Sequence, residues 1–377
     1  MAELADLWWL GMLLAAFAGG AFGAAIGALP AFIFTGFLVM LGESVKILAG
    51  DLSGVAGFDP VTMEQAQAIT DQLGFGPVFG PHISFAAGAA ASAYAAKKGY
   101  MDTGFPYHEA KNIAYAQGPK PDVLVVGGLF GILGYWITTI SVAFGLPWDP
   151  IAVAVVLSAF AHRLFLGFPL IGKAKKGLLN MEPFANGEMR DAKAAGEKKK
   201  RLLVEPWLGH QYKWADVSVL GAVVGILAAF ITYKTGSVFL PFGISAATLF
   251  FLNLGVEKFP VTHHISLIGS TAIVAATGGE YAEFALGAML MIGALFGFLA
   301  ALFGEIFQRV FFAHGDTHVD PPAAAIVMGT FLIAVLAMIG IFPSAAWIPL
   351  PFCWGGMTCV TWNCGVVEFR VSRGTWR

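Results

Sequence analysis

Charge is what this sequence has least of. Only 12% of its 377 residues are Asp, Glu, Lys or Arg, about half the roughly 25% of a water-facing domain. So little charge cannot cover a soluble surface, which excludes a water-soluble enzyme or binding module as a reading of the whole chain. Cysteine is scarce too. Cys353, Cys359 and Cys364 lie together near the end without CxxC spacing, and read more simply as small apolar residues than as a metal or disulfide framework. Met1 to Leu7 include Glu3 and Asp6 but no Lys or Arg, so the basic start of a signal peptide is missing. No phosphate-binding loop ending Gly-Lys-Ser/Thr occurs, which argues against ATP-driven work by this chain alone.

What is abundant is apolar: 57% hydrophobic residues, with Gly 47 and Phe 33. Glycine lets helices pack closely in lipid. A bilayer core needs about 20 mostly apolar residues per helix. That ruler marks segments near 7–29, 31–49, 79–96, 122–145 and 150–171, and then near 215–235, 238–256, 263–279, 281–312 and 321–342. A last candidate, about 344–368, follows Pro343 and is interrupted by Pro349 and Pro351, so its helical part is expected from about Phe352.

Four landmarks recur in the same order. Leu29-Pro30 opens a segment ending Leu41-Gly42-Glu43, and Leu240-Pro241 opens one ending Leu254-Gly255-Val256-Glu257. His82-Ile83-Ser84 and His264-Ile265-Ser266 each begin a run of small residues. Gly128-Leu129-Phe130-Gly131 matches Ala294-Leu295-Phe296-Gly297, and Asp149-Pro150-Ile151-Ala152 matches Asp320-Pro321-Pro322-Ala323. The ordered set reads as two five-helix repeats.

Five is odd, so the second repeat is expected upside down relative to the first. Cytoplasmic loops collect Lys and Arg. Lys97, Lys98, Lys111 and Lys120 fall between the third and fourth segments, and a basic connector near 172–213 includes Lys173, Lys198 and Arg201. The 50–80 loop, with Asp51, Asp59, Glu64 and Asp71, has no basic residue. Alternating spans put both basic stretches inside, with the N-terminus outside. The Lys198–Arg201 run could also touch anionic lipid headgroups; an ordinary solvated cytoplasmic loop is the better reading of it.

Ionisable groups within a span are costly. His82 and His264, with Ser84 and Ser266, stand at the starts of thinly apolar segments, where free N–H groups and a neutral imidazole suit a solute's electronegative end. Close packing of small residues accounts for the same pattern equally, and the pattern's repetition in both halves favours the pathway. Glu43 and Glu257 end the second segment of each repeat, and either line a pathway or are solvated. Arg163, beside His162, is expected to snorkel or to pair with a neighbouring carboxylate. Asp149 and Asp320, each followed by proline, read as helix N-caps. Glu305 and Arg309 form an i,i+4 pair. His314, Asp316, His318 and Asp320 are candidate ligands for a divalent metal by residue type.

The His-Ile-Ser start of a small-residue helix is locally similar to the histidine-bearing helices of ammonium channels. That family also has five-plus-five inverted repeats, an eleventh helix and an external N-terminus. The likeness covers about a dozen residues around His82 and the segment count. Here the histidine falls in the third segment of each repeat instead of the fifth, so the resemblance is one of architecture.

The expectation is an all-α polytopic membrane protein. Its parts are a first repeat at 1–171, a connector at 172–213, a second repeat at 214–342, and a terminal hydrophobic segment with a basic tail at 343–377. It would be a channel or secondary transporter for a small solute or ion in a bacterial-type plasma membrane, with its pathway at the repeat interface. The alternatives are a membrane-embedded metal-dependent enzyme and a non-catalytic subunit of a membrane complex. Expected partners are the solute, membrane lipids and, if the chain self-associates, further copies in a homo-oligomer. No nucleic acid and no cofactor are expected.

Overall fold

A computed structural model of the protein describes residues 4, 6–52, 65, 67–172, 177–190 and 200–343. The candidate terminal span, the three cysteines and much of the acidic 50–80 loop lie outside the described residues, as do Lys173 and Lys198.

The described chain is almost wholly helical. Its main helices are α1 (Leu10–Ile26), α2 (Ala28–Leu52), α3 (Ala86–Lys97), α4 (Pro121–Ala143) and α5 (Pro150–Leu166). After the connector come α6 (Trp214–Thr235), α7 (Phe239–Asn253), α8 (His263–Thr277), α9 (Leu286–Phe307) and α10 (Pro321–Met338). A π-helical turn, Pro81–Phe85, leads into α3, and another, Gln308–Phe312, prolongs α9. The connector contributes one short antiparallel pair, β1 (Met189–Arg190) with β2 (Arg201–Leu202).

The ends are set by local chemistry. Asp149 Oδ1 accepts from the Ala152 N–H at 2.7 Å and Asp320 Oδ2 from the Ala323 N–H at 2.8 Å, with proline next in both. That is the arrangement in which a missing proline N–H costs nothing. Pro30 is likewise tolerated because it sits in the first turn of α2.

Among the described residues five stretches are long and apolar enough to cross a membrane: Ala28–Ala49, Pro121–Ala143, Trp214–Thr235, Leu286–Phe312 and Pro321–Met338. Their outer faces are apolar as well. Leu129, Val219, Val223, Met291 and Leu295 are all exposed. Water would penalise such faces and lipid does not. The helices therefore fit an integral membrane protein.

Packing within the first group pairs α1 with α4, α3 with α4, α4 with α5, α1 with α3, and α3 with α5. The second group pairs α6 with α9, α8 with α9, α9 with α10, α6 with α8, and α8 with α10. Glycine permits the closest approaches. A Cβ on Gly20 would strike the backbone of Gly127 and Gly131, and one on Gly225 would strike that of Gly293 and Gly297. Between the groups, α2 meets α7 and α5 meets α10. Gly36 packs on the backbone of Ala246 and Ala247.

The α3–α4 loop, the connector and the α9–α10 loop gather at one end. The Glu205 N–H donates to the Ala313 carbonyl at 2.9 Å, and the His318 N–H to that of Ala110 at 3.4 Å. Arg309 reaches the carbonyls of Leu179 and Tyr212, both at 2.7 Å, besides pairing with Glu305.

Candidate functional site

A cavity of about 280 Å³ lies between the two groups of helices. The first group contributes Leu29 and Phe32 of α2, Phe85 before α3, and Asp149 and Val155 at the start of α5. The second contributes Phe239 and Phe242 of α7, His263 and Leu267 of α8, and Asp320 and Ile326 of α10. At the loop end Lys111, Asn112, Trp207, Leu208 and His318 complete the wall.

Two aspartates thus stand at the cavity as the caps of α5 and α10. The helices overlap so that the Asp149 N–H donates to Thr330 Oγ1 of α10 at 3.0 Å, and the Thr330 hydroxyl donates onward to the Ile326 carbonyl at 2.8 Å. Asp320 Oδ1 lies 3.1 Å from His318 Nε2, and the His318 ring stands edge-on to Phe85 and Phe312. With the carboxylate ionised, His318 Nε2 is the donor. This pair presents a fixed acceptor at the cavity wall.

His263 opens α8 and packs against Phe32 at 4.7 Å between ring centroids, with Phe242 at 5.9 Å. It is 5% exposed, and its Nδ1 has no hydrogen-bond partner among the described residues. A buried imidazole nitrogen without a partner is costly, and here it stands in a cavity wall.

At the loop end a chain of charges runs from a buried pair outward to partly exposed side chains. Lys111 Nζ donates to Glu205 Oε2 at 2.8 Å with both side chains fully buried. Arg201 bridges Glu205 at 2.8 Å and Asp316 at 2.5 Å, and Arg190 reaches Asp316 at 2.8 Å. Burial pushes the Lys111 ammonium down to about 8, with Glu205 holding it from falling further. Burial works upward on Glu205, but Lys111 and Arg201 outweigh it and its carboxyl sits below the usual range. Burial likewise opposes Asp316, yet Arg201 and Arg190 bring it to about 2.

The residues expected along a pathway take different places. His82 and His264 are both buried, at 1% and 2% exposure, but neither is in the cavity wall. His264 lies behind His263, its ring 6.3 Å from that of Trp207. The hydroxyls of Ser84 and Ser266 donate to their own helices, at the Gly80 and His263 carbonyls. Glu43 is buried, paired with Lys46, and accepts from Thr70 at 3.0 Å and from Ser237 at 2.6 Å, so it ties α2 to the start of α7. Glu257 is exposed in the turn after α7.

Arg163 departs from expectation. It does not snorkel, and it meets no carboxylate within salt-bridge distance among the described residues. It is fully buried and donates to Thr317 Oγ1 and the Thr317 carbonyl, both at 2.9 Å, and to the Leu170 carbonyl at 2.5 Å. His162 shares the same hydroxyl at 2.9 Å. The 314–320 residues do not converge on one point either. His314 bonds the Leu178 carbonyl, Asp316 its two arginines, and His318 Asp320. Among the described residues no three His, Cys, Asp or Glu side chains come together as metal ligands would.

Sequence reasoning passed over His263, Lys111 and Glu205. His263 adjoins the recurring His-Ile-Ser triplet without being part of it. Glu205 is an acid at the end of a basic stretch, which is the only signal it offers.

No curated protein and no solved structure matches the chain. Residues 2–351 match a family described as of unknown function, DUF7973, and the chain belongs to it.

Proposed function

We propose that the protein is a channel or secondary transporter for a small solute, built from two inverted repeats whose interface holds the pathway. The observation that carries this reading is the cavity between the two groups, with one capped helix start from each in its wall. Pseudo-symmetric sites at repeat interfaces are the common plan of secondary transporters.

The repeat itself is supported by the packing, since each main pairing within α1–α5 has its counterpart five helices later. The contacts between groups join like with like, α2 with α7 and α5 with α10. Counted from the Leu-Pro pairs, Gly36 and Ala247 hold equal places and touch, as an approximate two-fold axis between them requires. With five helices per repeat the second is inverted, the N-terminus lies outside, and the connector lies inside with the other two loops of its end.

Passage would run past His263, His318 and the two aspartates. His82 and His264, set back from the wall, would support the starts of α3 and α8, with Ser84 and Ser266 satisfying local carbonyls. Glu43 would hold α2 to α7, and Glu257 would stand at the mouth of the second repeat. The enzyme reading needs His314, Asp316, His318 and Asp320 as one cluster; of these only His318 and Asp320 meet, while His314 and Asp316 have other partners, so the transport reading is the better supported.

Flux of a panel of solutes into liposomes tests the reading. His263→Ala/His318→Ala is expected to lose flux, while His82→Ala/His264→Ala measures what the set-back pair contributes. Unchanged flux in the first double variant would take the cavity out of the pathway. Cysteine labelling that places the 110 loop and the connector on opposite sides would end the inverted arrangement.

A further inference from the structure

Nine aromatic side chains line the cavity. The charged side chains in its wall are Asp149, Asp320 and Lys111. Lys111 is neutralised from behind by Glu205 at 2.8 Å, so the two carboxylates dominate what a ligand meets. A helix N-terminus ordinarily favours an anion. Here the starts of α5 and α10 are already answered by their own capping aspartates, so a second anion would face like charge. The protein's own ammonium shows what the rings accept: Lys111 Nζ lies 4.6 Å from the centre of the Phe312 ring and 5.9 Å from that of Tyr107. A cation over an aromatic face is attracted to its π electrons, more so when desolvated.

From these observations we infer that the cavity takes an organic cation with an apolar body, such as an aromatic amine or quaternary ammonium, held between the rings and the carboxylate at one end of the cavity, that of Asp149 or that of Asp320, which stand ten residues, about 15 Å, apart along α10. The unpartnered Nδ1 of His263, buried in the same wall, supplies a neutral donor or acceptor for a polar substituent. The volume, about 280 Å³, is at the lower end of small-molecule sites of about 300–1,000 Å³, so the ligand is small. The inference rests on the cavity being the solute site proposed above.

The test is calorimetric binding to the full chain in detergent, using four probes with one body: phenyltrimethylammonium, 2-phenylethylamine, 2-phenylethanol and 3-phenylpropionate. The two cations are expected to bind at least tenfold more tightly than the alcohol, and the carboxylate least. Asp149→Asn and Asp320→Asn preserve the caps, because Asn caps as well as Asp; the double variant is expected to weaken cation binding about tenfold, and one of the two single variants to account for most of that loss. Phe32→Leu, which removes a ring and leaves both carboxylates, is expected to weaken the cations more than the alcohol. Carboxylate binding equal to the cations', no binding of any probe, or cation binding indifferent to the aspartates would each overturn the inference. Liposome flux separates it from the transport reading. Aspartate-dependent cation binding without flux sinks transport and leaves the ligand class, whereas flux of other solutes that cations neither share nor inhibit sinks the ligand class and leaves transport.

Discussion

The backbone N–H of Asp149 is held at 3.0 Å by the hydroxyl of Thr330, from a helix of the other group. One bond therefore fixes the start of α5 against the middle of α10. It also leaves the Asp149 carboxylate to cap its own helix beside the cavity.

Thr330→Val keeps the shape and removes the acceptor, leaving a buried N–H unanswered at a cost of about 1–3 kcal/mol. The unfolding midpoint in detergent is expected to fall, and Thr330→Ser is expected to restore most of it. Equal midpoints for the valine and serine variants would show that the bond does not secure this crossing.

The Lys111–Glu205 pair gives an asymmetric expectation. Lys111→Met leaves Glu205 with Arg201 as its partner, 2.8 Å away. Glu205→Leu leaves Arg201 with Asp316 but strips the buried Lys111 of its carboxylate, and breaking a buried pair from one side costs about 3–5 kcal/mol. Denaturation should therefore find Glu205→Leu the more damaged variant. The reverse order would mean that Arg201 does not share Glu205.

Asp316 sets an acid limit. Its carboxyl is brought to about 2 in the fold against 3.8 for the free side chain. The folded value is the lower one, so its contribution is complete above about pH 4 and is lost as pH falls toward 2. That contribution is about 2 kcal/mol. Midpoints measured between pH 5 and 3 should fall for the wild type and fall less for Asp316→Asn. Parallel curves would remove Asp316 from the acid response.

Gly20→Ala and Gly225→Ala should be equally harmful. Each new methyl would meet backbone of the facing helix, α4 or α9, with no flexible side chain to yield. Overpacking of this kind costs about 1–3 kcal/mol or more, read as loss of the monodisperse peak in size-exclusion chromatography. A tolerant Gly20 beside an intolerant Gly225 would show that the two crossings are not equivalent.

Much of the helical layout was legible in the residues. The segments expected near 122–145, 215–235 and 263–279 correspond to helices at Pro121–Ala143, Trp214–Thr235 and His263–Thr277. Long apolar runs have one economical solution in lipid, a helix that satisfies its own backbone, and Asp-Pro marks a start through local bonds alone. The site was less legible. His263 and His264 are adjacent, and neighbours on a helix point about 100° apart, so the rotation of α8 against α2 and α7 decides which ring enters the cavity wall.

By itself the sequence determined composition-level facts: the lipid-compatible helices, their capped beginnings, the recurring landmarks and the basic stretches. These depend on residues within one or two turns of each other. Only the tertiary structure decided that Lys111 meets Glu205, that Thr317 receives Arg163, and that His314 and Asp316 turn away from the His318–Asp320 pair. Those partners lie far apart along the chain or turn on how a loop is folded, and no local pattern specifies them.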